Sequence, residues 1–149
     1  MAEALDTRQK IWLTYRTYQR KTSGELHRCN YVVRTKREGY SYEFDQHFMY
    51  GPTRDDQHFY IDINRGSEGE PVLLVKNRTA SPGVLYTMRF WDARHHCFVL
   101  TATLDDKTQC EMHVWDEDIQ KLETLYDCMQ DFERLCGGKK FFLYTSDCK

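Results

Sequence analysis

Apolar and polar residues alternate along most of the chain before residue 116, which is the period-two pattern of half-buried β-strands. The clearest run is YSYEFDQHFMY, residues 40–50, whose alternate positions carry Tyr40, Tyr42, Phe44, Gln46, Phe48 and Tyr50. The pattern leaves open whether this face points into the molecule or outward beneath another element. Turns rich in glycine and proline, such as Gly51–Pro52, separate the runs.

Eight such runs are present. Six of them are KIWLTYRTY, RCNYVVRT, YSYEFDQHFMY, HFYIDIN, VLLVKN and VLYTMRFW. The last two are the arms of a hairpin within HHCFVLTATLDDKTQCEMHVWD, residues 95–116. Short antiparallel strands in this number predict a closed up-and-down β-barrel with room for one small ligand, and a two-sheet sandwich is the competing arrangement.

The period changes after the hairpin. Apolar residues in Ile119–Leu135 recur at intervals of three and four, as on one face of an amphipathic helix. Asp116 or Asp118 is expected to cap its start, and Gly137–Gly138 to end it. A last extended segment, KFFLYTS, leads to Cys148. We therefore expect a single mainly-β domain over residues 1–149, with the helix packed outside the barrel.

Composition narrows the function. The net charge is −2 with 30% charged residues, which gives no basic excess for nucleic acid, and no apolar run reaches the length of a membrane span. No nucleophile elbow, glycine-rich phosphate loop or His-x-x-x-His motif is present, so we predict that the protein is not an enzyme and holds no cofactor or metal. We also expect a monomer. His95 and His96 are expected in a solvated turn. The aromatic content of 14% suits a ligand cavity.

The chain has six cysteines and no CxxC pair, a pattern that favours three disulfides in an oxidising compartment over a zinc site. We expect a secreted protein in its mature form, because the sequence contains no signal peptide. The sequon Asn77-Arg78-Thr79 makes Asn77 a candidate glycosylation site.

The hairpin cysteines suggest a connectivity. If Cys97 and Cys110 point outward from their strands, each can bond to a cysteine of the helix and fix it on the barrel. This arrangement predicts the bonds Cys97–Cys128, Cys110–Cys136 and Cys29–Cys148. Six cysteines permit about fifteen connectivities, so strand alternation alone does not prove it.

The same alternation has a consequence for the interior. If the two strand cysteines face outward, their neighbours face inward, and these are Phe98, Leu100, Glu111, His113 and Trp115. A carboxylate, an imidazole and an indole lining a barrel favour a ligand site over a plain core.

Several of these residues carry a resemblance. The chain resembles the tick salivary lipocalins over nearly its whole length. The motifs that carry this resemblance are Cys97-Phe98-Val99, then Glu111-Met112 one strand later, a helix with Cys128, and a terminal Tyr144-Thr145-Ser146-Asp147-Cys148. The resemblance implies a secreted salivary-gland barrel that sequesters host mediators, among them histamine, serotonin, leukotrienes and thromboxane. Some members bind cholesterol or complement proteins, and they are not enzymes.

The resemblance also bears on the ligand. Amine binders of this family carry Asp directly after the first motif cysteine, and Glu-Leu-Trp or Glu-Leu-Tyr on the next strand. Here Phe98 replaces the Asp, Glu111 is retained and His113 takes the aromatic position. A buried ammonium needs carboxylate partners, so the loss of one argues against a typical amine site, although other acidic residues of the strands could compensate.

Lipid-mediator binders of the family need an apolar tunnel and a cation for the ligand's carboxylate. Matching Trp91 to an inward aromatic residue of the family turns Arg89 inward as well, which makes Arg89 the candidate cation. The apolar part would be lined by Tyr40, Tyr42, Phe44, Phe98, Leu100 and Trp115. We therefore favour a leukotriene or related eicosanoid, with serotonin or histamine as the alternative. A third possibility is a complement or immune-protein inhibitor that acts through surface loops.

Overall fold

The computed structural model describes residues 2–78 and 82–148 of the chain, and the fold is almost entirely antiparallel β-sheet. The strands are β1 (Ile11–Arg16), β2 (Lys21–Thr22), β3 (Glu25–Glu38), β4 (Ser41–Tyr50), β5 (Thr53–Arg65), β6 (Pro71–Lys76), β7 (Val84–Asp92), β8 (Cys97–Leu104), β9 (Lys107–Trp115) and β10 (Phe141–Phe142). One helix, α1 (Leu122–Cys136), follows β9, and short 3-10 helices cover Ala2–Leu5, Asp116–Asp118 and Ser146–Cys148.

The sheet closes on itself. Consecutive strands pair from β3 through β9, and β1 pairs with β9 on one side. On its other side β1 pairs with β3 through Ile11–Val32 and Trp12–Tyr31. β1 and β3–β9 therefore form a closed eight-stranded up-and-down barrel, as predicted, and the sandwich is excluded.

The N-terminal 3-10 helix closes one end of the barrel. Ala4 and Leu5 are buried in the interior cluster together with Trp115, and the partly buried Trp91 packs against it. The indole of Trp115 donates a hydrogen bond of 2.9 Å to the carbonyl oxygen of Ala4. Among the described residues, the cavity extends to the opposite end, where β1 ends and β3 begins.

Helix α1 packs outside the barrel against β8 and β9. Buried Phe132 joins an outer apolar cluster with Val99 and Met112. The predicted connectivity is confirmed, because the three disulfides are Cys97–Cys128, Cys110–Cys136 and Cys29–Cys148. In the part of the chain that is described, no helix is both long and apolar enough to cross a membrane.

The N-terminus of α1 differs from the prediction. Neither Asp116 nor Asp118 caps it, since the N-cap residue is Lys121 and makes no side-chain capping bond. The carboxylate of Asp118 instead binds His96 at 2.6 Å and Lys121 at 2.9 Å, while Asp116 accepts from the indole of Trp12 at 2.7 Å. Both aspartates therefore hold the turn before the helix. The predicted end at Gly137 is correct.

A histidine on the outer face of β5 gives the barrel a pH-dependent contact. The imidazole of His58 lies 2.5 Å from Asp45 and 2.8 Å from Glu43 on the neighbouring strand β4. These hydrogen bonds raise the pKa of His58 above its ordinary value. The stabilisation is therefore full below the unfolded-state pKa of about 6.5 and is lost as pH rises through the higher folded-state pKa.

We expect His58→Gln to lower the melting temperature more at about pH 5.5 than at about pH 9, by a small amount because the side chain is 38% exposed. An NMR titration of the His58 ring should give a midpoint above the free-histidine value. An equal loss of stability at both pH values would contradict the assignment.

Candidate ligand-binding site

The barrel interior holds a cavity of about 560 Å³ that opens at the end opposite the N-terminal 3-10 helix. This volume lies in the range of sites that enclose small organic ligands. Its apolar lining comes from alternate residues of several strands, among them Leu13, Phe44, Phe59, Leu73, Phe98 and Leu100. The strand face that the sequence left undirected points inward in its middle, since Phe44, Gln46 and Phe48 all line the cavity. Tyr40, at the start of that face, is instead 70% exposed and does not line the cavity.

Five of the predicted site residues lie on the cavity wall: Phe44, Phe98, Leu100, Glu111 and His113. The four on β8 and β9 alternate with residues that face α1, because Cys97 and Cys110 point outward to the helix. The ring of Phe98 stacks on that of His113, with centroids 5.0 Å apart. The hairpin thus presents an apolar ring and a polar pair side by side.

Three other predicted site residues lie deeper, outside the cavity lining. Tyr42 and Trp115 are buried in the interior cluster, and Trp91 packs against it, all beside the N-terminal 3-10 helix. The ring centroids of Trp91 and Trp115 are 5.6 Å apart. The cavity does not reach these three residues, because Ala4 and Leu5 pack at this end of the barrel, which strand alternation does not reveal.

Arg89 lies on the outer surface. The β7–β8 ladder shifts register between Met88 and Phe90, and the extra residue reverses the alternation of side chains. Trp91 consequently packs inward while Arg89 is exposed and donates from Nε to the Thr101 hydroxyl at 3.0 Å. The prediction of Arg89 as the interior cation was wrong.

Glu111 is the centre of a polar cluster on the cavity wall. Its side chain is 8% exposed, with one carboxylate oxygen 3.0 Å from His113 Nε2 and the other accepting a hydrogen bond from the Tyr18 hydroxyl. Burial alone acts to raise the pKa of Glu111, but the hydrogen bonds from His113 and Tyr18 and the charge of Arg16 outweigh it and lower that pKa. Glu111 is therefore ionised and already paired.

Two arginines that the sequence analysis missed complete the cluster. Arg16 lies opposite Glu111 in the β1–β9 ladder, is 2% exposed and lines the cavity. Its Nε has no hydrogen-bond partner among the described residues. Arg20 lines the open end, and the guanidinium carbons of Arg16 and Arg20 lie 5.0 Å and 5.3 Å from the ring centroid of Tyr18. Burial lowers the pKa of Arg16, yet a guanidinium remains charged in proteins.

A second register shift explains why Arg16 was missed. The β1–β9 ladder is irregular between Leu13 and Tyr15. Before the shift Leu13 faces the cavity and Trp12 faces the outer cluster; after it Tyr15 faces outward and Arg16 inward. Simple alternation from Trp12 would have turned Arg16 away from the interior, and nothing in WLTYRTY marks the irregular position.

The cavity therefore combines apolar walls with an excess of positive charge. Within the described part of the chain, its lining includes one carboxylate, Glu111, and two guanidinium groups, Arg16 and Arg20, together with the imidazoles of His27 and His113. The buried Nε–H of Arg16 has no hydrogen-bond partner among the described residues, which costs free energy unless a ligand supplies an acceptor. A carboxylate is the acceptor that a guanidinium binds best.

The predicted glycosylation site lies at the cavity rim. Asn77 is among the lining residues, whereas Thr79 of the sequon is outside the described residues. Glycosylation of Asn77 stays a prediction.

An outer helix, an inner cavity and a closed eight-stranded barrel define a lipocalin-like ligand-binding protein. The sequence matches the family model described as "Tick histamine binding protein" over residues 2–149, and the chain belongs to this family. The resemblance to tick salivary lipocalins is thereby confirmed. The family and the structural neighbours are ligand-binding proteins, not enzymes.

Two solved structures share the fold. Japanin from Rhipicephalus appendiculatus, bound to cholesterol, aligns with a TM-score of 0.69 at 15% identity, over 95% of this chain and 96% of its own. The AM182 serotonin complex aligns with a TM-score of 0.68 at 18% identity, over 95% of this chain and 86% of its own. No curated protein sequence matches the chain.

Replacing Glu111 tests the polar cluster. We expect Glu111→Gln to destabilise the protein by about 1–3 kcal/mol near neutral pH, because it removes charge from two hydrogen bonds at a buried site. A lowered folded-state pKa means that this stability is present above the unfolded-state pKa and is lost as pH falls through the folded-state value. Urea unfolding should therefore show a difference between wild type and variant that shrinks in acid. A difference that grows in acid would refute the cluster.

Proposed function

We propose that this protein sequesters a small lipid mediator that carries a carboxylate, a leukotriene or related eicosanoid, inside the barrel. The observation that carries the proposal is Arg16, a guanidinium buried in an apolar cavity with Nε unpaired among the described residues. A carboxylate placed there forms a charge-assisted hydrogen bond in a site that excludes water.

Electrostatics favour an acid over an amine. Arg16 and Arg20 both border the space that a ligand head group would enter, so an ammonium there would meet two positive charges. Glu111, the only candidate partner for an amine that lines this cavity within the described residues, is already bound by Tyr18 and His113. Phe98, where the amine binders have Asp, adds apolar surface instead.

The shape of the cavity favours a ligand with an acidic head and an apolar chain. Arg16 and Arg20 lie toward the open end, at the end of β1 and just beyond it. Phe98 and Leu100 extend the apolar wall toward the closed end, where Leu5 forms the floor. A chain-first orientation therefore buries the apolar part and leaves the carboxylate beside the guanidinium groups.

The two similar structures hold a sterol and an amine, which makes cholesterol and serotonin the natural competitors for this site. Their sequence identities to this chain are 15% and 18%, which is too low to carry a ligand over to it. The proposal therefore depends on this chain's own arginines.

Titration calorimetry with a leukotriene, cholesterol, serotonin and histamine tests the ligand class. We expect the leukotriene to bind most tightly, at one site. Arg16→Gln should weaken its binding about 10–100-fold, the loss of one charge-assisted hydrogen bond of about 1.5–3 kcal/mol. Arg89→Gln is the matched control, because it removes an exposed arginine from the outer surface and should leave the affinity unchanged.

Two results would overturn the proposal. Tight serotonin or histamine binding that Glu111→Gln abolishes and Arg16→Gln preserves would establish an amine site. Absence of any small ligand, together with a stable complex with a complement or immune protein, would establish an inhibitor that acts through its loops.

A further inference from the structure

The turn between β7 and β8 contains a histidine that the sequence led us to expect in solvent. His95 is instead 9% exposed and lies against α1. Three carboxylates surround its ring: Asp92 at the end of β7, and Glu123 and Asp127 from the first turns of the helix. The cluster is remote from the barrel cavity, since none of its members lines it.

The two ring nitrogens of His95 are in different situations. Nδ1 lies 2.8 Å from Asp92 Oδ2, and the backbone N–H of His95 donates to Asp92 Oδ1 at 3.1 Å. This contact assigns the ring proton to Nδ1 and turns Nε2 toward the helix. Nε2 lies 3.2 Å from Asp127 Oδ2 and 4.0 Å from Glu123 Oε1, and forms a hydrogen bond with neither in the described structure.

This arrangement has the form of a metal site. Metal-bound histidines commonly donate their second nitrogen to a carboxylate, which fixes the ring and strengthens the ligand. In a tetrahedral zinc site with bonds of about 2.0–2.2 Å, neighbouring ligand atoms are about 3.3–3.6 Å apart. The separations of 3.2 Å and 4.0 Å from Nε2 bracket that value. One nitrogen and two oxygens suit Zn²⁺ better than Ca²⁺, which takes six to eight oxygens.

We infer that His95, Glu123 and Asp127 bind a zinc ion that links α1 to the β7–β8 turn, with Asp92 as the residue that orients His95. The site lies next to the Cys97–Cys128 disulfide, which joins α1 to the start of β8. Arg94, which is highly exposed and 3.9 Å from Glu123, has to turn into solvent when the ion binds.

A neighbouring cluster supplies the control. His96, Glu117 and Asp118 also bring an imidazole and two carboxylates together. There, however, Lys121 already places an ammonium 2.9 Å from Asp118, and the other oxygen of Asp118 binds His96. The space for a cation is taken by a side chain.

Zinc titration of the disulfide-intact protein at neutral pH, followed by calorimetry, tests the inference. We expect one zinc per chain, and an affinity at least tenfold weaker in His95→Gln and in Asp127→Asn, with His96→Gln unchanged. Asp127 is partly exposed on the helix, so Asp127→Asn keeps the test valid if His95→Gln folds poorly. Zinc should also raise the melting temperature of the wild type and of His96→Gln, and not that of Asp127→Asn.

Cobalt gives an independent readout, because a four-coordinate Co²⁺ site absorbs strongly in the visible range and should show the same pattern among the variants. No binding at about 1 mM zinc, or binding that Asp127→Asn leaves intact, would overturn the inference. Loss of binding in His96→Gln alone would place the ion at the other cluster and overturn it equally. None of these outcomes depends on the ligand of the barrel.

Discussion

The structure depends on which face of the β8–β9 hairpin meets the helix. Cys97–Cys128 and Cys110–Cys136 bond the outer face of that hairpin to α1. Each closes a loop of intermediate length, with sequence separations of 31 and 26 between its cysteines, and contributes about 3–4 kcal/mol in the chain-entropy picture. Because side chains alternate, the same two bonds commit Glu111 and Phe98 to the interior.

The charge of the cavity depends on a small departure from that alternation. An irregular position in β1 turns Arg16 inward, because a one-residue shift in a strand reverses every side chain beyond it. A second irregularity, in β7, lets Trp91 pack inward while Arg89, which alternates with the inward Met88, stays on the outer surface. Regular pairing of β1 would turn Arg16 to the outer face and remove the buried guanidinium from the cavity.

The barrel, the helix and the disulfides could be predicted from the sequence because each depends on a repeated signal. Alternation in eight runs, a change of period after Trp115 and the even number of cysteines all point to the same fold. The inward position of Glu111 followed from the outward position of Cys110. A wrong assignment at one position does not change the prediction of these features, because many residues specify each of them together.

The rest of the site could not be predicted because single local events decide it. No residue pattern marks the irregular positions beside Arg16 and Arg89. Trp91 and Trp115 do not line the cavity, because a short N-terminal segment packs against them. Asp118 was taken for a helix cap, but His96 and Lys121 bind it instead. Each case depends on a contact between residues far apart in the chain or on one shifted hydrogen bond.

The closed floor beneath the cavity has a kinetic consequence. Ala4 and Trp115 pack against each other at one end of the barrel, so among the described residues the opposite end is the way out for a bound molecule, which must withdraw its whole length there. A cavity that is closed at one end lengthens the residence time of an elongated ligand more than that of a compact one. Affinity differences among guests of one site arise mainly in the dissociation rate, so the floor itself contributes to selection by length.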